Sequence, residues 1–184
     1  MSQSIVYCNS GDCWADKTND FSTTGTLYVI DKPGVTNANI KTWIPFTVGL
    51  RNVEITSAYI TLRSATTSDG ATGDLIFACE AADNPSTPVS GSDLNGRSLS
   101  AYQATHAIGG WSLDEVLTFQ IDNPIQETLA RPGWKPGNTL AVVIYETSIG
   151  DSPREVYSYE TSPGARAYLT LNYKTYVPRA GGML

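Results

Sequence analysis

Few side chains in this sequence are of a type that does covalent chemistry. His106 is the sole histidine. Nucleophilic catalysis through it needs a serine or cysteine within hydrogen-bond reach and a third group to orient the ring. No Gly-x-Ser-x-Gly elbow supplies one, and Ser90-Gly91-Ser92 reads as a loop. The glycine-rich stretches lack the spacing of a phosphate loop and the helix that would use one. His106 is expected on the surface or in a cleft. Glu80, Asp83 and Asp122 sit at predicted loop corners. Carboxylates there could hold a structural Ca²⁺ together with carbonyl oxygens, or form an acid pair of the glycosidase kind. No EF-hand spacing occurs, so solvated turn carboxylates are the simpler expectation. The cysteines are Cys8, Cys13 and Cys79, an odd number, so at least one is unpaired within the chain. Cys8 and Cys13 could meet across a turn, but a reduced chain is the expectation for a protein made in cytosol. One histidine and three cysteines give no recognisable zinc pattern. The expectation is a protein that is not an enzyme, with no catalytic residue, cofactor or metal.

Aromatic residues offer binding rather than catalysis. Trp134 follows Arg131-Pro132-Gly133 and could stack on the apolar face of a sugar, with a few polar groups beside it. The other reading is that it plugs the core where a helix meets a strand. Trp14, Trp43 and Trp111 carry the same pair of readings.

These residues hang on a framework that the pattern predicts. Pro124 can open a short helix near residues 124–130, with Ile125, Leu129 and in part Gln126 on one face. Pro132 cannot continue that helix, and Gly133 allows a positive φ. Lys135-Pro136-Gly137-Asn138 is a turn before a buried strand over residues 139–146. Within residues 55–63, Ala58, Ile60 and Leu62 alternate against Ser57, Tyr59, Thr61 and Arg63, which is a half-buried strand. Residues 74–82 form another, with Leu75, Phe77 and Cys79 on one face, expected to pair with the first. Leu117, Phe119 and Ile121 alternate inward, as do Ala167, Leu169, Leu171 and Tyr173. Pro45 places the strand over residues 40–48 at an edge or a bulge. Residues 5–8 are a short possible strand, and residues 81–97 a long turn-rich stretch. The sum is an all-β fold, an antiparallel two-sheet β-sandwich of jelly-roll type with one short helix.

Totals agree with one domain over residues 1–173 and an extended tail over 174–184. A chain of 184 residues should bury roughly 70% of the surface its unfolded form exposes. The net charge of −6 argues against nucleic acid or an anionic membrane as partner, since both need a basic patch. The first residues lack a secretion signal, and no apolar run approaches the ~20 residues of a membrane helix. In the tail, Tyr176, Val177, Met183 and Leu184 are apolar, while Pro178, Gly181 and Gly182 deny them a helix. Such a segment gains order by docking. The tail and the N-terminus are expected against neighbouring subunits, and these four residues are the expected partner contacts.

Three pieces carry a resemblance. They are Ile55-Thr56-Ser57-Ala58-Tyr59-Ile60, then Cys79-Glu80-Ala81-Ala82-Asp83-Asn84, then Ile125-Gln126-Glu127 through Trp134 to Gly137-Asn138-Thr139-Leu140. With Tyr157-Ser158-Tyr159 and Ala167-Tyr168-Leu169, they resemble a jelly-roll module over residues 40–173. The module is similar to carbohydrate-binding domains of bacterial extracellular proteins, and to domains of bacteriophage particle proteins. The resemblance implies a fold and no catalytic residue. With the apolar tail, it leads to the expectation of a structural virion protein. That would be a capsid decoration (cement) protein, made in the host cytoplasm and placed on the capsid surface. It would contact the major capsid protein or another virion protein, with a trimer as the expected homo-oligomer. The alternative is a carbohydrate-binding module on a phage tail or host surface, with Trp134 as its stacking residue.

Overall fold

A computed structural model describes residues 1–30, 39–68, 73–146 and 153–175. The strands in chain order are β1 (Ser2–Tyr7), β2 (Cys13–Ala15), β3 (Phe21–Ser22), β4 (Leu27–Ile30), β5 (Lys41–Val48), β6 (Val53–Arg63), β7 (Gly73–Cys79), β8 (Ala104–Ile108), β9 (Val116–Gln120), β10 (Asn138–Glu146), β11 (Arg154–Val156) and β12 (Tyr168–Thr175). Two helices interrupt them, α1 (Gly91–Gly96) and α2 (Asp122–Leu129). One sheet runs β1-β12-β6-β9, a second β3-β2-β5-β10-β7-β8, and β11 pairs with β4. All pairings are antiparallel. Eight strands are divided between the two large sheets, β1, β6, β9 and β12 in one and β5, β7, β8 and β10 in the other, with β7 and β8 the one consecutive pair that shares a sheet. That order is the two interlocked Greek keys of a jelly roll.

The core lies between the sheets. Ala58, Ile60 and Leu62 of β6 and Leu169 and Leu171 of β12 face inward from the first sheet. Ile44, Phe46 and Val48 of β5, Leu140, Val142 and Ile144 of β10, and Leu75, Phe77 and Cys79 of β7 face them from the second. The period of two that marked these runs in the sequence is the pleat itself. Each fully buried leucine, isoleucine or phenylalanine contributes about 1.5–3 kcal/mol.

Two expectations about strand placement are corrected here. β6 does not pair with β7: the chain crosses between sheets after Arg63, so β6 lies between β12 and β9 while β7 lies between β10 and β8. The N-terminal segment is the outer strand of the first sheet, with Ser2 opposite Tyr173 and Tyr7 opposite Tyr168. β5 is no edge strand, since it lies between β2 and β10. Pro45 is tolerated because it sits past the end of β2, on a stretch where its carbonyl accepts from the Asn9 N–H (2.9 Å).

Both ends of the sandwich are closed. α2 begins at Asp122, so Pro124 falls within the first turn, where an N–H has no partner to lose. Its Ile125 and Leu129 point into the core. β9 stops opposite Tyr59, and the helix takes over the backbone donors of β6 beyond that point. Asp122 Oδ1 accepts from the Ala58 N–H (2.5 Å) and Gln126 Oε1 from the Ile55 N–H (2.7 Å). Trp134 is 1% exposed and donates its Nε1–H to the Leu50 carbonyl (2.8 Å). Gly133 has no positive φ. A Cβ there would lie 1.8 Å from Asp83 Oδ2, so a larger residue would have to displace the carboxylate that pairs with Arg131. At the other end, β4 and β11 bring Leu27, Ile30 and Val156 into the core.

The outer face of the second sheet is covered as well. Cys13, Ala15, Trp43, Ala141 and Val143 pack there under Leu94 of α1. α1 was not foreseen in residues 81–97, although Ser90 caps it by accepting from the Asp93 N–H (3.1 Å). Beside it, Trp43 Nε1–H (2.8 Å) and Arg97 (2.9 Å) both donate to Glu80 Oε2. Arg97 also forks onto Asp93 and lies over the Trp43 ring.

Trp134→Ala should cost about 3–5 kcal/mol, the usual range for emptying a buried aromatic site. Urea unfolding checks this, with a midpoint well below that of the native chain as the expected outcome.

Candidate functional site

With one sheet roofed on its outer side, the outer face of the four-stranded sheet is the broad sheet surface that the described residues leave open. Its side chains form rows across the strands. Gln3, Asn172 and Ser57 make a polar row, Gln3 Nε2–H donating to Asn172 Oδ1 (3.1 Å) and Asn172 Nδ2–H to Ser57 Oγ (2.9 Å). The next row is Ile5, Thr170, Tyr59 and Gln120. After it come Tyr7, Tyr168, Thr61 and Thr118, and then Arg63 beside Val116. Ile5 (53%), Tyr7 (52%) and Val116 (63%) are exposed on it.

The face changes character along the strands. Its far end holds a cleft of about 180 Å³ lined by Tyr7, Tyr168, Arg63, Val116 and the turn at residues 164–166. The Tyr7 and Tyr168 rings are tilted against each other with centroids 5.6 Å apart. Arg166 lies over Tyr7 (4.8 Å) and Tyr159 (5.4 Å). Arg63 Nε reaches Asp114 Oδ1 at 3.2 Å, an ion pair about half exposed on both sides.

The sequence-selected residues lie elsewhere. The four tryptophans are all buried, which leaves no face of Trp134 open to a sugar. Glu80 is no solvated turn carboxylate: it is buried against Trp43 and Arg97. Asp83 pairs with Arg131 (2.6 Å), and Asp122 holds β6. Each carboxylate is thus occupied by its own partner. Among the described residues no group of three or more His, Cys, Asp or Glu side chains could hold a metal ion. His106 lies in a shallow cleft between β8 and β9, as expected. Its Nε2 bonds the Gln120 carbonyl (2.8 Å) and its ring packs on Phe77 and Phe119. Cys8, Cys13 and Cys79 are free, buried thiols. Burial above all pushes each up to about 12, so they stay protonated and unreactive at neutral pH. Tyr176, Val177, Met183 and Leu184 lie outside the described residues.

One acid pair went unseen because its members are far apart in sequence. Asp12, 1% exposed, is hydrogen-bonded to Glu160 and accepts from the Tyr159 N–H (2.9 Å). Glu160 accepts from the Gly11 N–H (3.0 Å). Burial first, then the bond to Glu160, pushes Asp12 up to about 8. Burial works the same way on Glu160, but the bonds from Asp12 and Gly11 outweigh it and hold that carboxyl below its ordinary value. The two therefore share one proton, which ties residues 9–13 to the loop behind Arg166. No protein-family model matches the chain, and no curated protein matches it.

The folded pair keeps a proton that the unfolded Asp12 gives up near its ordinary value of 3.8. Stability from this pair therefore falls as pH rises from about 4 to about 8, because the folded chain binds more protons across that window. Asp12→Asn keeps a donor toward Glu160 and has no proton to lose. It should flatten the fall and raise Tm at about pH 9 by roughly 2–8 °C, the effect of about 1–2 kcal/mol in a domain of this size. Thermal melts across the pH range check it.

Proposed function

We propose that this chain is a structural protein of a bacteriophage particle, a capsid decoration protein. In this reading it sits on the capsid surface as a homotrimer and holds the major capsid protein or another virion protein through protein–protein contact. The observation that supports the reading is the open outer face of the four-stranded sheet, with Ile5, Tyr7 and Val116 exposed on it and tyrosine and arginine at one end. Exposed apolar groups with Tyr and Arg are the composition of an interface core. A protein that binds the assembled shell and not its separated parts stabilises the shell by mass action.

Size decides whether the face suffices. Four strands ~4.8 Å apart and about six residues long give a patch of roughly 19 by 20 Å, or ~400 Å² in projection. A standard interface buries about 800 Å² on each partner. The sheet face supplies about half, and the rest must come from another segment. β12 of this same sheet ends at Thr175, directly before the apolar tail in sequence, so the tail is the natural second contact in this reading. The carbohydrate-binding alternative loses its tryptophan platform, since all four rings are buried.

Co-sedimentation with virus heads lacking the protein tests the reading. Wild-type chain should pellet saturably. A variant with Ile5→Lys and Val116→Glu should bind at least tenfold more weakly, about 1.4 kcal/mol, at an unchanged Tm. Removal of residues 176–184 should weaken binding independently. Equal pelleting of all three, or no pelleting of the wild type, would contradict it.

A further inference from the structure

We infer that the cleft between Tyr7, Tyr168, Arg63 and Arg166 is the anchor of this face, and that it takes a carboxylate side chain from the protein partner. The charge there is the first reason. The chain carries 18 acidic and 12 basic side chains, and the partly buried Arg97 is matched by Glu80 and Asp93. Arg166 differs. No described residue forms an ion pair or hydrogen bond with it, and the faces of Tyr7 and Tyr159 are what hold its guanidinium. Its Nε is buried and has no hydrogen-bond partner, so the guanidinium still has donor capacity that a carboxylate would satisfy. Arg63 is engaged only through Nε to the half-exposed Asp114. Such a surface pair is worth about 0–1 kcal/mol, so it yields readily to a better acceptor.

Shape is the second reason. The cleft of about 180 Å³ has room for ~6 waters at about 30 Å³ each, or for one acidic side chain. It is too small for a folded element. Its rim is apolar on two sides, at Val116 and Tyr7, and Ile5 lies in the adjoining row. A buried charged anchor ringed by apolar contacts is the arrangement that concentrates binding energy at protein interfaces. Thr61 at the floor is occupied with Thr118 (3.2 Å), so the specificity falls to the two arginines.

This inference rests on the reading of the face as a protein contact surface, and the test separates the two. The full-length chain is titrated with the capped peptide acetyl-Leu-Glu-Leu-amide while the NMR signals of Tyr7, Tyr168 and the amides of residues 164–166 are followed. Saturable shifts in the millimolar range are expected. They should be absent with the Gln peptide and weaken at least fivefold in Arg166→Gln. Arg63→Gln should weaken them at least twofold and serves where the Arg166 variant folds poorly. No saturable shift, equal binding of the Gln peptide, or binding of glucuronate without the peptide would overturn the inference. Virus-head binding by the wild type in the absence of peptide binding would sink the anchor alone. Peptide binding without virus-head binding would uphold the anchor and sink only the decoration role.

Discussion

The apolar layer between the two sheets is the constraint from which the rest of the structure follows. Ala58, Ile60, Leu62, Leu169 and Leu171 meet Phe46, Ile44, Phe77, Val142 and Ile144 across it. Because strand side chains alternate, filling this layer fixes what every neighbouring residue does on the opposite side. On the second sheet the alternate residues include Trp43, Ala141 and Val143, which are themselves apolar and must be covered. α1 and the segment around β2 supply that cover. On the first sheet the alternate residues are Gln3, Ser57, Tyr59, Thr61, Thr170 and Asn172. Most of them can face water, and with the exposed Ile5, Tyr7 and Val116 they form a surface that the described residues leave uncovered.

Buried polar groups follow the same economy of placement. Glu80 accepts from both Trp43 and Arg97, so a nearly buried carboxylate keeps its hydrogen bonds while it fastens α1 to the sheet. Truncating one partner of such a group typically costs about 3–5 kcal/mol, because the other is left buried and charged. Asp12 and Glu160 solve the problem differently, by keeping one proton between two carboxyls. Their bond joins the turn after β1 to the loop that carries Tyr159 and leads to Arg166. The cleft on the outer face therefore rests on a clamp whose strength depends on pH, and its floor is a sheet that does not depend on it.

Much of this was legible in the sequence, and what was not has a common cause. The alternation in β6 sorted Ala58, Ile60 and Leu62 from Tyr59, Thr61 and Arg63 correctly, because a half-buried strand writes its two faces into a period of two. The turn at residues 135–138 and the helix around Ile125 and Leu129 were equally readable from Pro and Gly. Pairing was not. β6 and β7 are consecutive strands, and the choice between a hairpin and a crossover depends on where the rest of the chain lies. The same holds for the candidate site. Arg63 was placed on the outer side of its strand, but its neighbours Tyr7 and Arg166 come from opposite ends of the chain. Glu80, Asp83 and Asp122 drew attention as acids near loops. Their partners Arg97, Arg131 and the Ala58 N–H lie 17, 48 and 64 positions away, and only the fold brings them in. The Ser90–Asp93 cap was a local signal for α1, weakened by the glycine at Gly91, which is there because a Cβ would strike the Asn19 backbone at 2.4 Å.

The account makes the outer face of the four-stranded sheet the working surface of the molecule. Hydroxyl-radical footprinting of the chain, free and bound to virus heads, tests that most directly, since tyrosines are readily labelled. The account predicts that Tyr7, Tyr59 and Tyr168 lose most of their labelling on binding while the exposed Tyr102, beside α2 at the end of the sandwich, keeps its own. Protection at Tyr102 with Tyr7 and Tyr168 still labelled would contradict it.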